Sequence, residues 1–68
     1  MNIAAELMNK LTDQEYSLVS YYINKASEAY DSERYSIARS SLEDAVAILI
    51  SKEEYNAAGK VRYYLRFC

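Results

Sequence analysis

The chain has 68 residues, 51% of them hydrophobic, and carries eight Lys and Arg against ten Asp and Glu, a formal net charge of −2. A chain of this length forms one domain at most and buries only about 60% of its unfolded surface, so we expect one marginally stable domain over residues 1–68. The charge is far from the basic balance that sequence-independent phosphate binding requires. With no histidine and one cysteine, neither an intrachain disulfide nor a zinc site is expected, which leaves self-association as the supplement to stability.

The composition also bears on location. The longest uninterrupted apolar run, AVAILI at Ala45–Ile50, has six residues, whereas a membrane-spanning helix needs about 20. The first residues do not combine a basic segment with an apolar one, as a secretion signal would. We therefore expect a cytoplasmic protein with no membrane partner.

The first predicted elements are a short helix and a longer one. Residues 2–10 favour a short opening helix with Asn2 as its cap. Thr12 and Glu15 match a capping box, and Leu11 precedes them for a staple onto Tyr16, so a second helix is predicted from this point. Its apolar stripe is predicted at Tyr16, Val19, Ile23, Ala26 and Tyr30.

Similar start patterns follow twice more along the chain. Asp31 is predicted to cap a third helix, with Tyr30 packed against Tyr35. Ser51 and Glu54 are predicted to form the capping box of a fourth. Because the spacers between helices are short, the helices must be antiparallel neighbours. The sequence thus predicts an all-α fold, a small antiparallel bundle of a short N-terminal helix and three longer helices.

The third helix is the most apolar part of the chain. Its core stripe is predicted at Tyr35, Ala38, Leu42, Ala45 and Leu49. The AVAILI segment is apolar on every side, so residues beside the stripe need cover of their own. We therefore predict a homodimer whose contact includes Val46, Ile48 and Ile50.

The fourth helix is predicted from about Lys52 toward Phe67. Its inward stripe is predicted at Tyr55, Ala58, Val61, Leu65 and Cys68. Gly59 costs about 1 kcal/mol against alanine within a helix, and it is predicted to allow close approach where helices cross.

A family resemblance involves the second and third helices. The aromatic, small, large and small residues at Tyr35, Ala38, Leu42 and Ala45 have the spacing of the second helix of a tetratricopeptide unit, and Tyr22, Ala26 and Tyr30 fit its first helix. Glu33-Arg34 replaces the family's glycine-acidic turn, and Ile50 replaces its closing proline. On these residues the two helices resemble a single tetratricopeptide unit. The resemblance implies a helical hairpin that binds peptides or proteins, with no ligand-binding position carried over.

Candidate catalytic groups are few. The adjacent pairs Glu43-Asp44 and Glu53-Glu54 point about 100° apart on a helix, so we interpret them as a solvated face and a capping turn. Cys68 has no histidine to activate it and is interpreted as a buried or frayed thiol, with an intermolecular disulfide as the alternative. We expect no enzyme activity, no catalytic residue, no cofactor and no metal site.

The candidate partner-binding residues are Tyr21, Lys60, Tyr63, Arg66 and Phe67. Helical spacing turns Tyr21, Tyr63 and Phe67 away from the predicted core stripes. Aromatic and cationic side chains of this kind are enriched among interface anchors. In the alternative reading, which stays open, Tyr63 and Phe67 cover the opening helix.

Two functions follow from these residues. The first is a small non-enzymatic protein that binds a partner protein and occludes or bridges it. In size and composition the chain resembles accessory proteins of phages and bacterial mobile elements, and this resemblance implies an inhibitor of a host defence complex, such as an anti-CRISPR protein. The alternative is a nucleic-acid-binding module using Lys60, Arg62, Tyr63 and Arg66, which the acidic remainder of the chain disfavours.

Overall fold

Three helices make up the fold in a computed structural model that describes residues 10–67. They are α1 (Asp13–Asp31), α2 (Tyr35–Ser51) and α3 (Tyr55–Leu65), and the described residues contain no strand. Connections of three residues, 32–34 and 52–54, join them, so neighbouring helices are antiparallel. The all-α prediction is confirmed. The opening helix predicted over residues 2–10 falls almost wholly outside the described residues, and Lys10 lies in a turn.

The start of α1 follows the sequence prediction. The Thr12 hydroxyl accepts a hydrogen bond from the Glu15 N–H at 3.1 Å, and the Glu15 carboxylate accepts one from the Thr12 N–H at 3.0 Å. The predicted capping box is therefore confirmed. The Lys52 ammonium lies 3.1 Å from the same carboxylate and links the start of α1 to the end of α2. The hydrogen bond from the Thr12 N–H is the main cause that lowers the pKa of Glu15, and the hydrogen bond from Lys52 is the second.

The two turns between helices share one backbone geometry. Glu33 and Glu53 both have left-handed backbones, with φ of 61° and 60°. In the first turn the Arg34 N–H donates to the Ala29 carbonyl at 2.8 Å, and the Glu33 N–H donates to the Tyr30 carbonyl at 3.0 Å. In the second turn the Glu54 N–H donates to the Leu49 carbonyl at 2.9 Å, and the Glu53 N–H donates to the Ile50 carbonyl at 3.0 Å. Each turn is a Schellman motif, in which glutamate occupies the position that glycine usually takes.

These turns overturn two predicted caps. Asp31 and Ser51 are not N-caps but the last residues of α1 and α2. The Ser51 hydroxyl donates to the Ile48 carbonyl at 2.6 Å, within its own helix. The N-caps are Arg34 and Glu54, and neither side chain makes a capping hydrogen bond. Because each Schellman motif places two residues beyond the C-cap before the next helix begins, the N-cap falls three residues after the predicted cap.

The described core is built largely from small side chains. Its largest fully buried members are Leu42, Leu49, Val19 and Val61. Among residues 10–67 the buried apolar residues are Val19, Ile23, Ala26, Ala29, Ala38, Leu42, Ala45, Val46, Leu49, Ala57, Ala58 and Val61. Half of these residues are alanine, which allows close helix packing but buries little apolar area per residue. Within residues 10–67 no helix is both long and apolar enough to cross a lipid bilayer.

The central positions of the predicted stripes are buried, but the tyrosines at their ends are not. Tyr16, Tyr30, Tyr35 and Tyr55 are 36%, 37%, 44% and 62% exposed. The predicted contact between Tyr30 and Tyr35 is confirmed, with ring centres 5.3 Å apart and edge to face. The prediction that Tyr55 begins an inward stripe is wrong, because α3 begins at Tyr55 rather than near Lys52 and its first side chain faces outward.

Candidate functional site

Aromatic side chains gather at the carboxyl end of α3. The Tyr63 ring lies 5.4 Å from the Phe67 ring and 5.9 Å from the Tyr64 ring, both edge to face. The Arg66 guanidinium lies 5.8 Å from the centre of the Tyr63 ring. Tyr63 and Phe67 remain 54% and 53% exposed. We call Tyr63, Tyr64, Arg66 and Phe67 the aromatic cluster; its ring and cation–π contacts order these side chains on the surface.

A groove of about 320 Å³ borders the aromatic cluster. Tyr64 and Phe67 form one wall, and Ser27, Tyr30 and Asp31 of α1 form the other. The groove exists because the carboxyl ends of α1 and α3 lie at the same end of the bundle. It offers a concave apolar site beside the exposed rings, with one carboxylate at its edge.

The structure brings together three of the five predicted partner-binding residues. Tyr63, Arg66 and Phe67 are in contact, and Lys60 is exposed one helical turn before Tyr63. Tyr21 is 56% exposed on α1. Its ring lies 5.5 Å from the Tyr22 ring and 5.9 Å from the Lys25 ammonium, so its described partners are on its own helix.

The exposed surface of α3 is larger than the sequence predicted. Tyr55 and Gly59 belong to it, as do Arg62 and Arg66, which follow at helical spacing. A Cβ built on Gly59 has no neighbour within 4 Å. The close approach that Gly59 would allow where helices cross is therefore not made by any helix among residues 10–67. We call the exposed residues Tyr55, Gly59, Lys60, Arg62, Tyr63, Arg66 and Phe67 the α3 face.

The α3 face carries the opposite charge to the rest of the chain. Residues 55–67 contain three cations, Lys60, Arg62 and Arg66, and no carboxylate. Residues 1–54 contain five cations and ten carboxylates, a formal charge of −5. No carboxylate among residues 10–67 forms an ion pair with the three cations. The α3 face is thus a positive surface on a negative molecule.

The predicted dimer contact lies elsewhere. Val46 is 9% exposed and belongs to the core of its own chain. Ile48 and Ile50 are half-buried and pack against that core. The homodimer stays a prediction, and Ile48 and Ile50 are the two of these residues that retain accessible apolar surface for it.

The acidic pairs do not form a described site. Glu43 and Asp44 are exposed on α2, as predicted for a solvated face. Glu54 is 8% exposed, and its Oε2 has no hydrogen-bond partner among residues 10–67. Within the described part of the chain no group of three His, Cys, Asp or Glu residues is placed to hold a metal ion. Cys68 lies outside the described residues.

No protein-family model, curated protein or solved structure matches the chain. The tetratricopeptide resemblance of α1 and α2 stays a prediction. The function is therefore inferred from the chemistry of the α3 face.

Proposed function

We propose that this chain is a small non-enzymatic protein that binds a partner protein through the α3 face and thereby occludes or bridges it. The observation that carries the proposal is the aromatic cluster, with Tyr63 and Phe67 more than half exposed and in contact with each other. Tyr and Arg are over-represented among the residues that dominate binding energy at protein interfaces. Inhibition of a host defence complex is one role that such a protein would fill.

The contacts within the aromatic cluster favour binding. Ordering a flexible side chain at an interface costs about 0.5–1.5 kcal/mol. Tyr63 already contacts Phe67 and the Arg66 guanidinium in the free chain, so part of this cost is met before a partner arrives. The neighbouring groove, lined by Tyr30 and Tyr64, provides a recess for a partner side chain.

The proposal predicts that binding and folding respond to different substitutions. Tyr63 and Arg66 lie outside the core, so Tyr63→Ala and Arg66→Ala should leave the melting temperature nearly unchanged. Each should weaken partner binding by more than about 1 kcal/mol. Ile37→Ala is the control, because Ile37 is 41% exposed on a different helix, α2, and does not belong to the α3 face.

The test is capture of proteins from an extract of the source cells, followed by affinity and melting measurements on each variant. One stoichiometric protein retained by the wild type and by Ile37→Ala, and lost with Tyr63→Ala, would support the proposal. Wild-type affinity in both α3 variants would contradict it. A binding loss that follows a lowered melting temperature would instead assign Tyr63 a structural role.

The alternative is nucleic-acid binding. Three cations that form no ion pair with residues 10–67 lie beside aromatic rings and favour it, because such surfaces bind single strands through phosphates and base stacking. The formal −5 on residues 1–54 opposes it, since a polyanion is repelled by the rest of the molecule. Fluorescence anisotropy with a random single strand of about 20 nucleotides separates the two, because only the alternative predicts that the chain binds the strand, with an affinity that falls steeply as salt rises.

A further inference from the structure

Nothing among the described residues, 10–67, explains the glycine at position 59. Gly59 is the fifth of the eleven residues of α3, where glycine costs about 1 kcal/mol relative to alanine. No neighbour would meet a Cβ there, and the chain has no glycine with positive φ. Neither packing nor backbone conformation within the described residues therefore requires glycine.

The surroundings of Gly59 suggest a requirement outside the chain. Tyr55 lies one turn before it, and Tyr63 lies one turn after it, and both rings are more than half exposed. The missing side chain leaves a notch in the α3 face between two aromatic side chains. A glycine at such a place lets another backbone approach the helix closely.

The charge of the α3 face indicates the chemistry of what approaches. Lys60 is adjacent to Gly59, and Arg62 and Arg66 follow on the same exposed surface without a described ion-pair partner. Interfaces juxtapose surfaces of opposite potential, which speeds association and rejects wrong partners. A positive surface free of carboxylates therefore complements an acidic one.

We propose that the α3 face takes a partner segment rich in Asp and Glu that crosses the helix at Gly59, between Tyr55 and Tyr63. This rests on the proposed function and specifies the chemistry of the partner. The notch admits the partner backbone, the two rings pack on either side, and the three cations pair with its carboxylates. The occupied surface then extends from the aromatic cluster to the start of α3.

The experiment selects binders from a displayed library of random peptides on the full-length chain, without reference to a known partner. The recovered peptides are then measured against Gly59→Leu and against Ala47→Leu. Leucine fills the notch, yet it is a better helix former than glycine, so Gly59→Leu should melt no lower than the wild type. Ala47 is exposed on α2, so its variant adds the same side chain elsewhere.

The expected result is enrichment of Asp and Glu over the starting library. Binding should weaken at least about tenfold with Gly59→Leu and stay unchanged with Ala47→Leu. It should also weaken when the salt rises from about 0.1 M to about 1 M, because the Debye length falls from about 10 Å to about 3 Å.

Three results would overturn the inference. The selection could recover neutral or basic peptides, or no peptides at all, or it could recover acidic peptides that bind Gly59→Leu as tightly as the wild type. The third result is a random single-stranded DNA that binds more tightly than the selected peptides. Neutral peptides that still require Tyr63 would leave the proposed function standing while removing the acidic partner. Peptides or a captured protein indifferent to Tyr63 would instead remove the proposed function.

Discussion

Replacing Gly59 by alanine should stabilise the protein. Gly59 lies within α3 on an exposed surface, and the added methyl group would have no neighbour within 4 Å. The methyl group would neither add packing contacts nor clash with a neighbour. The gain in the free energy of unfolding is therefore the difference in helix propensity between glycine and alanine, about 1 kcal/mol. In a domain of this size that corresponds to a rise in melting temperature of roughly 4–8 °C.

The assay is thermal and urea unfolding of Gly59→Ala beside its mirror variant, Ala47→Gly. Ala47 is exposed in the interior of α2, so the reverse change should lower stability by a similar amount, about 1 kcal/mol. A neutral or destabilised Gly59→Ala, with Ala47→Gly behaving as expected, would refute the reasoning. It would mean that Gly59 is packed more closely in the free chain than the described geometry allows.

Three further predictions concern the helix ends. Thr12→Ala should lower the free energy of unfolding by roughly 0.5–2 kcal/mol, because it removes the capping box. Ser51→Ala, at the end of a helix, should lower it by under about 0.5 kcal/mol, measured by urea unfolding. Equal losses in the two variants would contradict the placement of both residues. The pKa of Glu15 lies below its usual 4.5, so the stabilisation from its carboxylate is present above pH 4.5 and is lost as the pH falls through the lowered pKa. In Glu15→Gln the melting temperature should therefore fall less steeply with acid than in the wild type. An unaltered profile of melting temperature against pH would exclude this role. Glu33→Gly should stabilise the protein by about 0.5–1 kcal/mol, because glycine adopts a left-handed backbone without strain. Ser32→Gly should not stabilise it, because Ser32 has an ordinary φ of −93°. Calorimetry that gives the two variants stability changes of the same sign would count against strain at Glu33.

Local chemistry is what the sequence by itself determined. The start of α1 is marked by Thr12 and Glu15, which are three residues apart, so the signal for its capping box is local in the sequence. The centres of the core stripes, such as Val19 on α1 and Leu42 on α2, are buried as predicted. Helical periodicity alone places such residues on one face, and burial of that face is the main source of helix stability.

Tertiary packing decided where α1 and α2 end. Asp31 and Ser51 have the right neighbours for N-caps, yet both helices continue through them. The chain reverses instead at Glu33 and Glu53, although a left-handed backbone costs a residue other than glycine about 1–2 kcal/mol. No local signal marks these glutamates, because the packing of consecutive helices and the Schellman hydrogen bonds offset that cost.

Tertiary structure also decided the shape of the α3 face. The sequence placed Tyr63, Arg66 and Phe67 on the outside of the last helix, and it placed Tyr55 on the inward stripe. In the structure Tyr55 is the first residue of α3 and is 62% exposed, and no neighbour lies within 4 Å of a Cβ built on Gly59. The groove likewise joins residues of α1 and α3 that are more than 30 positions apart, and such contacts depend on how the helices pack rather than on any pattern within one helix.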